Sequence, residues 1–298
     1  MEALTATRAS DTVVTRVLEW FGTAARPLPW RRPDASAYAI LVSEFMLQQT
    51  PVERVLDPWR RWVERWPSAT AMAAAPVGEA VRAWGRLGYP RRALRLHQSA
   101  VLIARDHDGE VPDDAKELLA LPGVGSYTAA AILSFAYGQR HVVLDTNVRR
   151  VLARVAGGAA FPGAATTAAE VVLAETFLPR SPARAARWAV ASMELGAVVC
   201  TARAPRCGVC PVRSTCAWRR DGYPAWTGPA RRGQSYAGTD RQCRGVLLGV
   251  LRSSEGPVST AELDAAWVDR DQRDRALRSL VLDGLVVGAG ERGYALPG

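Results

Sequence analysis

The chain is predicted to be all-α in two parts, a large helical body and a small C-terminal unit. Three observations predict it. Apolar residues recur at helical spacing through the first two hundred positions, and no convincing alternating strand pattern precedes residue 240. Gly222, Pro224, Gly228, Pro229, Gly233 and Gly238 punctuate 217–239, which reads as a linker after a body spanning 1–216. Beyond it, 240–298 holds three helical segments and two short apolar runs around a Gly-rich turn. At 298 residues the chain is long enough for two domains with buried cores.

The elements follow in order. Val13 to Phe21 carries apolar residues at helical spacing, and Ala37 to Leu47 and Val52 to Trp66 do the same. Asp113 or Asp114 can cap a helix leading to Leu119. Leu121-Pro122-Gly123-Val124-Gly125 is a glycine-bracketed hairpin at the mouth of an apolar helix. Gly157 to Thr167 is rich in small residues and reads as a loop, and Glu170 to Phe177 and Ala183 to Leu195 return to the helical pattern. In the last unit, helices are expected over Asp240 to Leu251, Ser259 to Trp267 (capped by Ser259 or Thr260) and Asp271 to Leu282. A hairpin is expected from Val286-Val287 to Gly293-Tyr294-Ala295-Leu296. Three helices and a hairpin are the pattern of a winged helix. Its third helix bears Arg273, Arg275 and Arg278, which either face DNA or form a solvated face.

The hairpin suggests a ligand. Gly123 and Gly125 let the backbone turn tightly and come close to a bound group. The helix behind them offers free N–H groups and the positive end of its dipole, which suits a phosphate. A DNA phosphate held there would fix where the next residues point. Asp145, twenty residues after Gly125, would then lie near a sugar.

Net charge agrees with a polyanionic partner. It is +9, and nearly all the basic residues are arginine, Lys116 being the only lysine. No apolar run approaches the ~20 residues of a membrane span, and the N-terminus has no apolar signal core, so neither membrane insertion nor secretion is expected.

Four of the five cysteines, Cys200, Cys207, Cys210 and Cys216, fall within seventeen residues, in the spacing C-x6-C-x2-C-x5-C. Cys243 stands apart and is expected on a helix face or in a core. Without a secretory signal such a cluster reads as metal ligation. Four thiolates suit zinc or an iron–sulfur cube equally well on chemistry alone.

The spacing resembles the [4Fe–4S] loop of the endonuclease III and MutY families of DNA glycosylases. With the hairpin and Asp145 in the same order, the chain resembles the helix-hairpin-helix DNA glycosylase superfamily, a two-lobed fold. Leu28-Pro29-Trp30-Arg31 and Ser43-Glu44-Phe45-Met46-Leu47-Gln48-Gln49-Thr50 are similar to the adenine DNA glycosylases within it. The likeness covers about residues 10 to 220 and is closest to a short form without the usual Nudix-like C-terminal domain.

The resemblance implies hydrolysis of an N-glycosidic bond, which leaves cationic character on the sugar and charge on the departing base. Two carboxyl groups divide that work, as in glycoside hydrolysis. Glu44 is implied to protonate adenine at ring nitrogen 7; its apolar flanks (Ile40-Leu41-Val42 and Phe45-Met46-Leu47) favour the neutral acid. Asp145 is implied to be the carboxylate facing the anomeric carbon, assisted by Tyr127 and Asn147. The bifunctional endonuclease III branch has a nucleophilic lysine where this chain has Tyr127, so a monofunctional enzyme leaving an abasic site is expected. The base must be flipped out first, at a cost of a few kcal/mol. Gln49 resembles the wedge that fills the gap. Thr50, Leu87 and Tyr89 resemble neighbours of the base opposite adenine, and Trp30 and Arg31 resemble adenine-pocket residues. Cys200, Cys207, Cys210 and Cys216 are implied to hold the [4Fe–4S] cluster.

Three positions depart from the pattern. Thr146 stands where Gly is common, Pro90 where an aromatic is common, and Val190 where the family often offers Gln or Glu to adenine. The implied partner is double-stranded DNA carrying adenine mispaired with 8-oxoguanine or guanine. The expectation is a cytoplasmic, nucleoid-associated monomer without membrane contact and with no protein partner assigned. Thymine removal from G·T mismatches and a non-catalytic DNA-binding module are the competing readings.

Overall fold

The computed structural model describes residues 2–229 and 236–298; positions 230–235 of the expected linker, Gly233 included, lie outside them. The helices are α1 (Glu2–Ala24), α2 (Ala37–Leu47), α3 (Val52–Arg65), α4 (Ala69–Ala73), α5 (Val77–Trp84), α6 (Arg91–Asp106), α7 (Ala115–Ala120) and α8 (Ser126–Phe135). They continue as α9 (Thr146–Val155), α10 (Ala168–Thr176), α11 (Pro182–Val198), α12 (Ala217–Arg220), α13 (Asp240–Ser253), α14 (Thr260–Ala266) and α15 (Arg270–Leu282). Two short strands, β1 (Val287–Gly288) and β2 (Tyr294–Ala295), pair antiparallel. No helix among the described residues is long and apolar enough to cross a membrane.

By contact the described residues divide into one unit within 1–35, 113–115 and 124–230, and another within 36–112, 116–123 and 231–298. In the first, Val148, Val151, Leu152 and Val155 recur at helical spacing on α9. They pack with Trp188, Ala191 and Leu195 of α11 and Val13, Val14 and Val17 of α1. α10 starts two residues before the expected Glu170, because Thr167 and Glu170 close a reciprocal capping box. Pro182 opens α11 at a first-turn position, where its missing N–H has no intrahelical role.

In the second unit α2 coincides with the segment read from the sequence. Ser36 caps it by accepting the Ala39 N–H at 3.1 Å, and Tyr38 through Met46 are all buried. Helix α3 lays Val55, Trp59 and Trp62 against it, with the Trp59 indole N–H donating to the Ala39 carbonyl at 2.8 Å. The sequence reading did not delineate α4, α5 or α6. The three helices and hairpin of 240–298 have the expected order, and Val258 bridges to Tyr294 beside the hairpin. This segment shares a core with the second unit: Cys243, Leu247, Leu251, Leu263, Leu280 and Val286 pack with Val81 of α5. Arg273, expected toward DNA or solvent, is instead 7% exposed, donates to the Trp267 carbonyl and pairs with Asp264.

Candidate functional site

In the first unit, Asp145 is the N-cap of α9. Its Oδ1 accepts the Val148 N–H at 2.6 Å and its Oδ2 accepts the Asn147 amide at 2.7 Å. The two bonds fix both oxygens. Burial pushes the Asp145 carboxyl above its usual range, against the opposing pull of these donors and of Arg150. Asn147 is held in turn: its Oδ1 accepts from Arg150 at 2.7 Å, and Gly196 packs so closely that a Cβ there would lie 2.7 Å from the Asn147 Cβ. Tyr127, on the first turn of α8, packs with Ala131, Val143 and Ala189.

The cysteine loop is laced to the same α9. Arg150 donates to the Cys200 carbonyl at 2.8 Å, and the 2%-exposed Arg154 donates to the Ala160 and Thr201 carbonyls and to the Cys200 sulfur. The Trp218 ring covers the Arg154 guanidinium at 4.5 Å. Cys200, Cys207, Cys210 and Cys216 line one small cavity with Val151, Leu195 and Val212. Four sulfurs set around one cavity are a donor set that could hold a metal centre. Burial, reinforced by the neighbouring thiols, pushes Cys210 up to about 11 and raises Cys216. A positive cluster is what would hold such thiols deprotonated.

Arg31 and Trp30 lie on a 3-10 turn, Pro29–Arg31, with Trp30 buried. Arg31 donates to Glu194 Oε2 at 2.9 Å, and Arg26 grips the same fully buried carboxylate with its backbone N–H and two guanidinium donors. The Arg31 Nη1 is a buried donor without a partner. Glu194 lies four residues after Val190, one turn along α11. Burial alone would raise its pKa, but Arg26 and Arg31 outweigh that and bring it from 4.5 to about 2. A depressed carboxylate stabilises the fold above its unfolded value and loses that contribution as pH falls. The expected loss between pH 4.5 and 2 is about 3 kcal/mol. Urea unfolding of wild type and Glu194→Gln should therefore show a wide gap at pH 7 that narrows toward pH 3. A gap independent of pH would contradict this.

In the second unit Glu44 is 5% exposed within α2. The chain leaves α2 through Gln49, which is exposed with φ 55°, and Thr50, which is buried. Arg92 binds this exit from below. It donates to the Phe45, Met46 and Gln48 carbonyls and to Thr50 Oγ1. The Gly85–Tyr89 turn has left-handed φ at Gly85, Gly88 and Tyr89, and four successive carbonyls that each accept from a side chain. Gly85 accepts from Arg252, Arg86 from Arg54, Leu87 from Thr50 at 3.3 Å, and Gly88 from Trp84 and Arg92. Leu87 is 3% exposed and Tyr89 52%. Gly123 has φ 87°, and a Cβ there would meet Phe45 at 2.8 Å and Arg95 at 3.0 Å, so glycine is required. Gly125 differs: it caps α8 in an extended conformation, and a Cβ would meet nothing within 4 Å. Lys116 is exposed on α7.

Sequence reasoning missed Arg92, Arg150, Arg154, Glu194 and Arg252. For Arg150 and Arg154 a signal existed, since they stand four apart among the apolar positions of α9.

Residues 42–174 match the family model of the HhH-GPD superfamily of base excision DNA repair proteins, and residues 200–216 match that of the iron–sulfur binding domain of endonuclease III. An adenine DNA glycosylase of Mycobacterium tuberculosis (strain CDC 1551 / Oshkosh) is 56% identical over 285 residues, covering 95% of this chain and 93% of that protein. One from Mycolicibacterium smegmatis is 56% identical over 283 residues, covering 95% of each. Among solved structures, a thermostable thymine-DNA glycosylase matches with a TM-score of 0.64 at 27% identity, over 72% of this chain and 98% of that one.

Proposed function

The chain belongs to the adenine DNA glycosylases of the HhH-GPD superfamily and removes adenine from DNA in base excision repair, and from that premise we propose that its target is adenine mispaired with 8-oxoguanine or guanine. The reaction breaks the bond between the sugar's anomeric carbon and the purine nitrogen. Water supplies oxygen to the sugar, and the base leaves with a proton. The doubly anchored Asp145 carboxylate carries the reading: it is fixed to face a developing sugar cation, and Asn147 holds its second oxygen. Glu44 donates the proton to the leaving purine, and its burial suits an acid shielded from bulk water. With Tyr127 near the start of α8 and Lys116 the only lysine, no amine stands in that motif to form a Schiff base, and an abasic site is the product.

The remaining residues serve binding. The open backbone at Gly125 leaves room for a phosphate on the α8 N-terminus. Exposed Gln49 is the wedge, and Tyr89 with Leu87 meets the base opposite adenine once binding uncovers it. Trp30 and Arg31 form the wall of the adenine pocket. The [4Fe–4S] cluster of this family, held by Cys200, Cys207, Cys210 and Cys216, supplies a rigid, charged clasp for the loop.

The likeness to a thymine-DNA glycosylase, with Val190 at an expected hydrogen-bonding position, favours G·T as the second substrate to test. End-labelled duplexes containing 8-oxoguanine·A, G·A and G·T decide between them, with and without hot alkali. The expected result is cleavage at adenine that depends on alkali. Cleavage at thymine would overturn the substrate, and cleavage without alkali would overturn the monofunctional chemistry.

A further inference from the structure

We propose that the C-terminal segment 240–298 is a brace for the Gly85–Tyr89 turn, with Arg252 as the positioning residue, so that it sets how the base opposite adenine is read without touching DNA. This rests on the reading that Leu87 and Tyr89 meet that base.

The joint is reciprocal. Arg252 of α13 donates to the carbonyls of Val81, at 2.8 Å, and Gly85. Arg82 of α5 donates back to the carbonyls of Arg252 and of Ser254, the latter at 2.7 Å. The last carbonyls of a helix have no intrahelical partner. Arg252 supplies two of those at the end of α5 and places positive charge at the negative end of its dipole. Val81, between them, belongs to the apolar core of 240–298. Toward the other end of α5, a Cβ at Gly78 would lie 2.2 Å from the Pro297 carbonyl, so the tail lies directly on the α5 backbone. Helix α5 is thus clamped along its length, and its end feeds straight into the turn.

Charge speaks against this segment as the main DNA contact. It holds eight arginines against nine carboxylates, in a chain whose net charge is +9. Several of those arginines are used internally: Arg273 on Asp264, Arg244 on Asp283 and Arg275 on Asp240. Of the five side chains that hold the four turn carbonyls, only Arg252 comes from outside 36–112.

The test uses the full-length holoprotein and two variants. Arg252→Met keeps the stem and removes the donors. Leu263→Ala cuts the core of the same segment, where Leu263 is 1% exposed, and serves as the matched loss of stability. Single-turnover excision is measured on 8-oxoguanine·A and G·A duplexes, with amide hydrogen exchange across 85–90. Arg252→Met should shrink the preference between the duplexes about five-fold, the weight of one hydrogen bond, and speed exchange in the turn. Leu263→Ala should lower the melting temperature and leave both readouts unchanged. An unchanged preference in Arg252→Met, an equal change in Leu263→Ala, or a wild type that treats both duplexes alike would overturn the brace. A wild type that excises adenine from neither duplex would overturn the underlying reading and the brace with it.

Discussion

Asp145→Asn is expected to lower adenine excision by about a thousandfold, while duplex binding persists. The substitution keeps the shape and one oxygen, so the Val148 N–H retains an acceptor, while the Asn147 amide loses its own. What disappears is the negative charge that the sugar cation needs. That charge is costly in the resting protein, because burial raises the Asp145 pKa. Between the unfolded value of 3.8 and the raised folded value, the native state binds more protons than the unfolded chain. Stability therefore falls as pH rises through that window. Asp145→Asn should lack this fall, so its melting temperature relative to wild type should improve from pH 4 to neutrality. Excision within tenfold of wild type would remove Asp145 from the proposed mechanism.

Glu44→Gln should lose a comparable factor, roughly 10²–10⁴, but with a different pH signature. Asp145 must be ionised and Glu44 protonated, so wild-type excision should follow a bell, with Asp145 governing the acid limb. That limb should sit above the usual carboxylate range, as its raised pKa requires. Without Glu44 the alkaline limb should vanish. Residual excision should climb as pH falls, because free protons take over the activation of the purine, and level off where Asp145 itself takes up a proton. Rates measured from pH 4 to 9 on one duplex check this. A Glu44→Gln variant that keeps the wild-type bell would place the acid elsewhere.

Some of this could be read from residues alone, for local reasons. The apolar residues around Glu44 predict α2 to the residue, and their near-continuous run matches a helix buried on nearly all sides. The cysteine spacing predicts the loop because its ligands are close in sequence. Helix α6 is harder: its stripe of Ala93, Leu96, Ala100 and Ile103 is thin, small and interrupted by arginines. The buried grip on Glu194 joins residues 168 and 163 positions apart, and no local pattern encodes it. For the same reason the attachment of 240–298 to α5 was illegible. A Gly- and Pro-containing connection suggests independence, but it cannot say where the far side docks.

The four carbonyls of Gly85 to Gly88 constrain how this lineage can change. Each is matched to a donor whose reach is fixed by a different part of the unit. An insertion or deletion there would shift every pairing at once and strand the donors, those that are buried at about 1–3 kcal/mol apiece. Single substitutions at Leu87 or Tyr89 leave the pairings intact, because they alter side chains and not the path of the backbone. New lesion preferences should thus arise by swapping letters in this turn while its length stays frozen.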